Sequence, residues 1–410
     1  MNSNYCKFCN VPLTQKLVDL GMAPLANSFL SSDMLASEEP KYPLRVFVCS
    51  NCLLIQTEEY ETSEKIFSDY LYFSSYSQTW LRHAEDYVNM MITRFGFDKK
   101  SQIIEIASND GYLLQYFKKK KIPILGVEPA ANVAKVAEKK GIPTIIKFFG
   151  IDTAKELVLK GTWADLLIGN NVLAHVPRLN DFVAGMKIIL KQNGIITMEF
   201  PHLLQLIQDN QFDTIYHEHF FYFSLHTVQK IFSYHGLSIF DVDELPTHGG
   251  SLRIYATHTE NNELPVSNNI NKLIQKEKEY GLTTLSTYTN FQNKVDTIRE
   301  NIRQFFINAK NAGKKIVCYG AAAKGNTLLN YCGIGSDLVE YVVDLSPYKQ
   351  GLYLPGVHIP VYDPKKIHET KPDYVLILPW NLKDEIMQQL SYIRSWGGRF
   401  VVPIPEVKIY

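Results

Sequence analysis

Buried strands alternate with helices in two separate stretches of this chain, and that pattern restricts its fold more than any other feature. In the first stretch, apolar strand-like runs at 102–107, 124–127, 165–171 and 194–201 are separated by helical segments at 113–119 and 131–140 and by a helix that begins at Asp181-Phe182. In the second, runs at 314–319, 338–344, 374–379 and 399–403 repeat the pattern. Such alternation builds doubly wound parallel sheets, whose ligands bind beyond the carboxyl ends of the strands. A helix at 80–95 leads into the first stretch. Two β-rich runs, 237–242 and 251–257, flank His248-Gly249-Gly250 and would finish its sheet as an antiparallel pair. One or two long helices over 263–312 separate the stretches. At 410 residues, two or three domains are expected.

Ahead of both sheets stand two C-x2-C pairs, Cys6/Cys9 and Cys49/Cys52. Two such pairs are the four-thiolate arrangement of a tetrahedral structural zinc site. Four thiolates leave no open position, so the metal is read as structural rather than catalytic. Its binding, on the order of 10 kcal/mol apparent, replaces a core that so small a segment cannot build. The separation of the pairs makes 11–48 an insertion between two knuckles. Paired cysteines suggest metal before disulfide in a reducing compartment, and the N-terminus carries no basic region or apolar stretch of a secretory signal. A cytoplasmic protein is expected. No run of 18 apolar residues is present, so no membrane span is expected. A net charge of zero argues against a nucleic-acid partner, which needs clustered Lys and Arg.

The strand tips carry the chemistry. The first strand runs into Ser108-Asn109-Asp110-Gly111-Tyr112, a small polar turn without G-x-G-x-x-G, so it has no cradle for a pyrophosphate. The next strand ends in Glu128-Pro129, with Glu128 placed to take both hydroxyls of a ribose. A ligand with a ribose and an adenine but no phosphate suits this pair. Asn170-Asn171 and His175 follow the 165–171 strand. After the 194–201 strand comes Tyr216-His217-Glu218-His219-Phe220-Phe221-Tyr222-Phe223-Ser224, which gathers two histidines, a carboxylate and two phenols among aromatics. A second aromatic run spans 67–77 and includes Tyr70, Tyr72 and Tyr76. It either lines a pocket or packs against the cysteine module. In the second sheet the turn at 320–325 contains Lys324 but not the P-loop order, so ATP chemistry is not supported. The turn allows close backbone approach and adds a cation.

These motifs resemble, in order and over nearly the whole chain, the sugar C-methyltransferases. That family, within the class I S-adenosylmethionine methyltransferases, acts on nucleotide-linked 4-keto deoxysugars. The resemblance rests on the cysteine pairs, on Glu105-Ile106-Ala107-Ser108-Asn109-Asp110-Gly111-Tyr112, on Tyr216-His217-Glu218-His219, and on Tyr319-Gly320-Ala321-Ala322-Ala323-Lys324-Gly325-Asn326. It implies an α/β fold: a small zinc module (1–80) followed by two doubly wound, Rossmann-like domains. The first (81–260) binds S-adenosylmethionine and the second (261–410) binds the nucleotide sugar.

The resemblance also implies residue roles. Glu105, Ala107, Ser108, Asn109, Asp110, Gly111 and Tyr112 hold the methionine end of the cofactor, Glu128 with Pro129 its ribose, and Asn170 lies near the donor. His175 lines the active site, and a tyrosine of the 70–76 run, Tyr70 or Tyr72, contacts the sugar.

The chemistry that the resemblance implies is removal of an acidic proton beside a ketone, followed by methylation of the resulting carbon. Neutral imidazole suits the base and contributes roughly 10²–10⁴-fold. His219 is expected as that base, with Glu218 orienting or polarising it or contacting the sugar, and with Tyr216 and His175 on the ketone and hydroxyls. Tyr76, His217, Tyr222, Lys324 and Asn326 complete the expected substrate contacts, although His217 is also read as structural. Carbon 3 and carbon 5 both remain open, as do methylation on oxygen and a non-catalytic nucleotide-sugar binder. A monomer or weak oligomer is expected.

Overall fold

The computed structural model describes residues 5–62 and 73–410. The N-terminal part contributes β1 (Gln15–Ala23), β2 (Tyr42–Val48) and β3 (Ile55–Thr57). Along β2 the side chains alternate, with Leu44, Val46 and Val48 buried, as a strand with one covered face requires. The middle of the chain supplies β4 (Ile103–Ile106), β5 (Ile124–Val127), β6 (Thr144–Ile145), β7 (Ala164–Asn170) and β8 (Leu190–Pro201). It continues with β9 (Phe221–Tyr222), β10 (Leu237–Leu245) and β11 (Ser251–His258). β4 is buried at every position, the mark of a central parallel strand covered on both faces.

Three sheets result among the described residues. The seven-stranded one has the order β10-β11-β8-β7-β4-β5-β6, parallel from β8 to β6, with β11 antiparallel to both neighbours. The expected antiparallel pair therefore closes this sheet. The four-stranded sheet, β1-β2-β3-β9, is completed by two residues from far along the chain, with Ile55 opposite Tyr222. The sequence pattern does not reveal that exchange, because a two-residue strand has no periodicity.

The third sheet is built from β12 (Ile316–Tyr319), β13 (Val342–Val343), β14 (Val361–Tyr362), β15 (Tyr374–Ile377), β16 (Arg399–Val402) and β17 (Lys408–Ile409). Its order is β14-β13-β12-β15-β16-β17, parallel except for the last strand. Two helices, Asn268–Tyr280 and Phe291–Asn311, precede it. The second buries Phe291, Val295, Ile298, Ile302, Phe306 and Ala309 at helical spacing. One apolar core runs from Leu17, Val46 and Ile55 through this helix to Cys318 and Leu376, so the N-terminal sheet and the third sheet share an interior.

Two expectations change here. The strand expected over 338–344 shortens to β13. The turn expected over 320–325 ends early, because the helix Ala323–Cys332 starts inside it. Lys324 and Gly325 therefore lie on the first helical turn. A Cβ on Gly325 would stand 2.7 Å from the Leu378 side chain, so glycine here lets the helix press onto the sheet.

Candidate active site and zinc module

The four cysteines converge, with all four Sγ atoms within 4.8 Å of one another. The Cys6–Cys52 and Cys9–Cys49 separations are 3.5 and 3.4 Å, close to the ~3.8 Å edge of a tetrahedron with 2.3 Å zinc–sulfur bonds. The two knuckles are built alike. The amide of Cys6 donates to Val11 O and that of Cys49 to Leu54 O. The residue four places after each first cysteine, Asn10 and Leu53, takes a left-handed conformation (φ 58° and 64°). Such a repeated turn aims each thiol pair at one point. The donor set fits zinc and leaves no position for a substrate.

A cavity of about 340 Å³ opens at the strand tips of the seven-stranded sheet and is closed from the far side by the third sheet's helix and loops. On the cofactor side, Glu128 stands at the tip of β5. Its Oε2 accepts the amide of Asn109 and its Oε1 that of Ala130, each at 2.9 Å. Burial pushes its pKa up to about 7, against those two hydrogen bonds. Asn170, at the tip of β7, keeps both side-chain polar atoms buried without a partner among the described residues. An orphaned amide on a cavity wall is costly unless a ligand satisfies it. Phe149, Val172 and Phe182 give this end an apolar lining suited to a base. Ala107, Asn109, Tyr112 and Pro129 also reach the wall.

On the other side, His219 Nδ1 lies 2.8 Å from the carbonyl of Thr214. A carbonyl can only accept, so Nδ1 carries the proton and Nε2 holds a lone pair. That lone pair accepts the Tyr216 hydroxyl at 2.8 Å. Burial above all, with the neighbouring His175 adding to it, holds the His219 pKa well below the usual histidine value. His175 packs edge-on at 4.6 Å and is lowered by burial to about 4. The imidazole is thus neutral and its tautomer is fixed, as a base requires.

Several expected residues sit behind this wall. Glu105 is enclosed within β4, where burial raises its carboxyl well above the usual range. Ser108 is fully buried. Asp110 turns away to pair with Lys140 at 3.0 Å. Gly111 answers a packing need, since its φ is 76° and a Cβ would meet Ile142 at 2.2 Å. His217 points toward the N-terminal sheet and donates to Pro43 O at 3.2 Å. Tyr222 is built into β9 and is 5% exposed. Asn326 is buried and bonds Asn330 along its own helix. Glu218 does not orient His219, a task done by Thr214. Both Glu218 oxygens instead receive Asn27 Nδ2 at 2.8 Å. Tyr76 is exposed and meets Tyr348 edge-on, away from the cavity. Tyr70 and Tyr72 lie outside the described residues.

The cavity also contains residues that sequence reasoning missed, Asn27, Trp80, His248 and Asn381, and beside them Asn171 and Lys349. Trp80 stacks on His83 and Tyr112 and meets His248 edge-on. His248 takes φ 56°, an uncommon value for a residue with a Cβ, and bonds the Asn171 amide at 2.8 Å. The triplet His248-Gly249-Gly250 was the available signal. Asn27 had none, because only the folded chain brings it here.

A mostly parallel seven-stranded sheet that ends in an antiparallel hairpin, with a carboxylate and an amide at its central tips, defines a class I methyltransferase. Three family models match in succession: a zinc binding domain over 6–67, a methyltransferase domain over 80–242 and a C-methyltransferase C-terminal domain over 246–405. The last begins inside the β10–β11 hairpin, so β11 falls in its span while pairing with β8.

The chain is 32% identical to the C-methyltransferase NovU of Streptomyces niveus over 98% of its own length and 96% of that protein. It belongs to this C-methyltransferase family and is an S-adenosylmethionine-dependent C-methyltransferase with a four-cysteine zinc module.

Among solved structures, the magnesium protoporphyrin IX methyltransferase of Synechocystis PCC 6803 with bound S-adenosylmethionine is similar at 11% identity. That match covers 48% of this chain and 98% of that one, with a TM-score of 0.37. An S-adenosylmethionine-dependent methyltransferase of Clostridium acetobutylicum is similar at 13% identity, covering 43% and 92%, with a TM-score of 0.35. Among the described residues no helix is long and apolar enough to cross a membrane.

Proposed function

We propose that this enzyme methylates carbon 3 of a nucleotide-linked 4-keto-6-deoxysugar in deoxysugar or surface-polysaccharide biosynthesis. The observation that carries this reading is the His219–Tyr216 pair. It is a neutral imidazole with its lone pair on Nε2, set in a cavity between a cofactor tip and a second α/β unit. Bound S-adenosylmethionine supplies an electrophilic methyl group. Glu128 would hold its ribose, Asn170 would lie beside it, and Ala107 with Asn109 would line its methionine end.

The carbon beside a ketone carries an acidic proton. In this reading the substrate's C–H takes the place of the Tyr216 hydroxyl at His219 Nε2, and that hydroxyl is released to donate to the sugar. His175 supports the same ring. Thr214 keeps a proton on Nδ1, so the Nε2 lone pair faces the substrate until it takes the proton. Residues 1–80, 81–260 and 261–410 act as zinc module, methyl-transfer unit and nucleotide-sugar unit of a cytoplasmic monomer or weak oligomer.

The test is a screen of keto-sugar nucleotides with product analysis by NMR. A new methyl on carbon 3 is expected. A methyl on oxygen, or no turnover with any keto sugar, would overturn the reading, and a methyl on carbon 5 would move its position.

A further inference from the structure

Proton removal leaves a full negative charge on the sugar's carbonyl oxygen, and the base described above is neutral. Tyr216 and His175 offer only neutral donors. Charge developing in a water-poor cavity is best met by preorganised donors aimed at it. Three lysines line this cavity, Lys147, Lys324 and Lys349; Lys147 lies beside Phe148 and Phe149 at the cofactor end and is paired with Glu156.

Their surroundings differ. Lys349 Nζ donates to Ala321 O at 2.8 Å and lies 3.9 Å from the Asp344 carboxylate, so its charge is answered within its own loop. Lys324 Nζ has one hydrogen-bond partner among the described residues, the neutral Asn381 Oδ1 at 2.7 Å. Its charge sits 4.6 Å above the Trp380 ring. An ammonium has three donors, so donors remain for a ligand.

The bed beneath Lys324 is fixed. Trp380 Nε1 donates to the buried Asp213 at 2.6 Å, and a Cβ on Gly249 would strike the indole at 2.4 Å. Asp213 keeps its other oxygen buried and without a hydrogen bond among the described residues. Lys324, His219 and His248 line the same cavity, and Thr327, on the helix that carries Lys324, donates to the carbonyl of Ile215 next to the Thr214 that holds His219, which places Lys324 on the reacting side.

We propose that Lys324 is a catalytic residue that donates an N–H to the carbonyl oxygen at carbon 4 and stabilises the enolate. This rests on the keto-sugar reading and assigns Lys324 to the sugar ring rather than to the nucleotide's phosphates. In the step, the C–H bond at carbon 3 breaks and its proton goes to His219 Nε2. The released electron pair forms the bond between carbons 3 and 4 into a double bond. The carbonyl π pair moves onto oxygen, where Lys324 meets it.

Enolisation can be read without methyl transfer. The full-length enzyme is incubated with S-adenosylhomocysteine and the keto-sugar nucleotide it methylates, in deuterium oxide, and loss of the carbon 3 proton is followed by NMR. Wild type exchanges that proton. Lys324→Met is expected to slow exchange at saturating substrate by about 10²–10³-fold, the usual loss for one oxyanion donor, with affinity for the free nucleoside diphosphate unchanged. Lys324→Arg recovers part of the rate. Asn381→Ala, which removes the anchor and keeps the charge, gives a smaller loss and guards against a folding defect in the first variant.

Wild-type exchange rates in both Lys324→Met and Asn381→Ala would overturn the proposal. So would a loss of diphosphate affinity with the saturated exchange rate intact, which would make Lys324 a phosphate ligand. Absence of exchange in wild type would sink the keto-sugar reading, and this proposal with it.

Discussion

The two parallel sheets use one device at their tips and put it to different ends. In the first, a carboxylate at the end of β5, Glu128, reaches back to the amide of Asn109 in the turn after β4. In the second, a carboxylate just past β13, Asp344, reaches back to the amide of Ala321 in the turn after β12. Both pin a strand–turn–helix junction by satisfying a backbone donor. Glu128 remains on the cavity wall and can serve a ligand. Asp344 is occupied by the amide of Ser346 and by Lys349, and the wall there is left to lysines. One tip thus offers an acceptor to hydroxyls, and the other offers cations.

The largest effect should come from the group between the tips. His219→Asn is expected to lower methyl transfer by about 10²–10⁴-fold while binding of labelled S-adenosylmethionine stays intact. Retained turnover would move the base to His175, which also lines the cavity. Next comes the functional tip. Glu128→Gln should weaken S-adenosylmethionine about ten- to a hundredfold, the scale of one charge-assisted hydrogen bond, and calorimetry should find nucleoside diphosphate binding unaffected.

Asp344→Asn is the matching change at the other tip. It should cost about 1–2 kcal/mol of unfolding free energy and leave cofactor affinity alone. A large loss of cofactor affinity in this variant would break the comparison.

The smallest effect is a pH dependence. Burial raises Glu128 to about 7, so its ionised, ribose-accepting form is lost as pH falls through that value. Cofactor affinity should therefore decline below pH 7 in wild type and lose this dependence in Glu128→Gln. His219 is shifted the other way, so the base itself should remain competent below the ordinary histidine value.

Much of this was legible in the sequence, for physical reasons. Parallel strands buried on both faces must be apolar runs, so β4, β5, β7 and β15 stood out. Four thiols in two knuckles have few uses besides a metal. Strand tips are polar and few, which exposed Glu128 and Asn170. What stayed hidden depended on direction rather than identity. Among Tyr216, His217, Glu218 and His219, the first and last face the cavity while the middle two bond residues of the N-terminal part, and only the fold says which. His248 reaches the cavity because three consecutive residues, 248 to 250, take positive φ, and spacing does not encode that turn. Lys324 looked like part of a loop because its neighbours are small, although small residues are equally what a closely packed helix start needs.

The exchange of β9 into the N-terminal sheet has a consequence for biosynthesis. Thr57 binds the backbone of His219 across 162 residues of chain, and β3 has no partner on that side until β9 is made. The metal-bound knuckles can form as soon as Cys52 emerges from the ribosome, but their sheet cannot be completed until the residues carrying the base have been translated. Closing so long a loop is slow and entropically costly. Completion of the N-terminal sheet and assembly of the base are therefore one late folding event, and a chain interrupted before residue 223 would display an open, apolar strand edge for chaperones to cover.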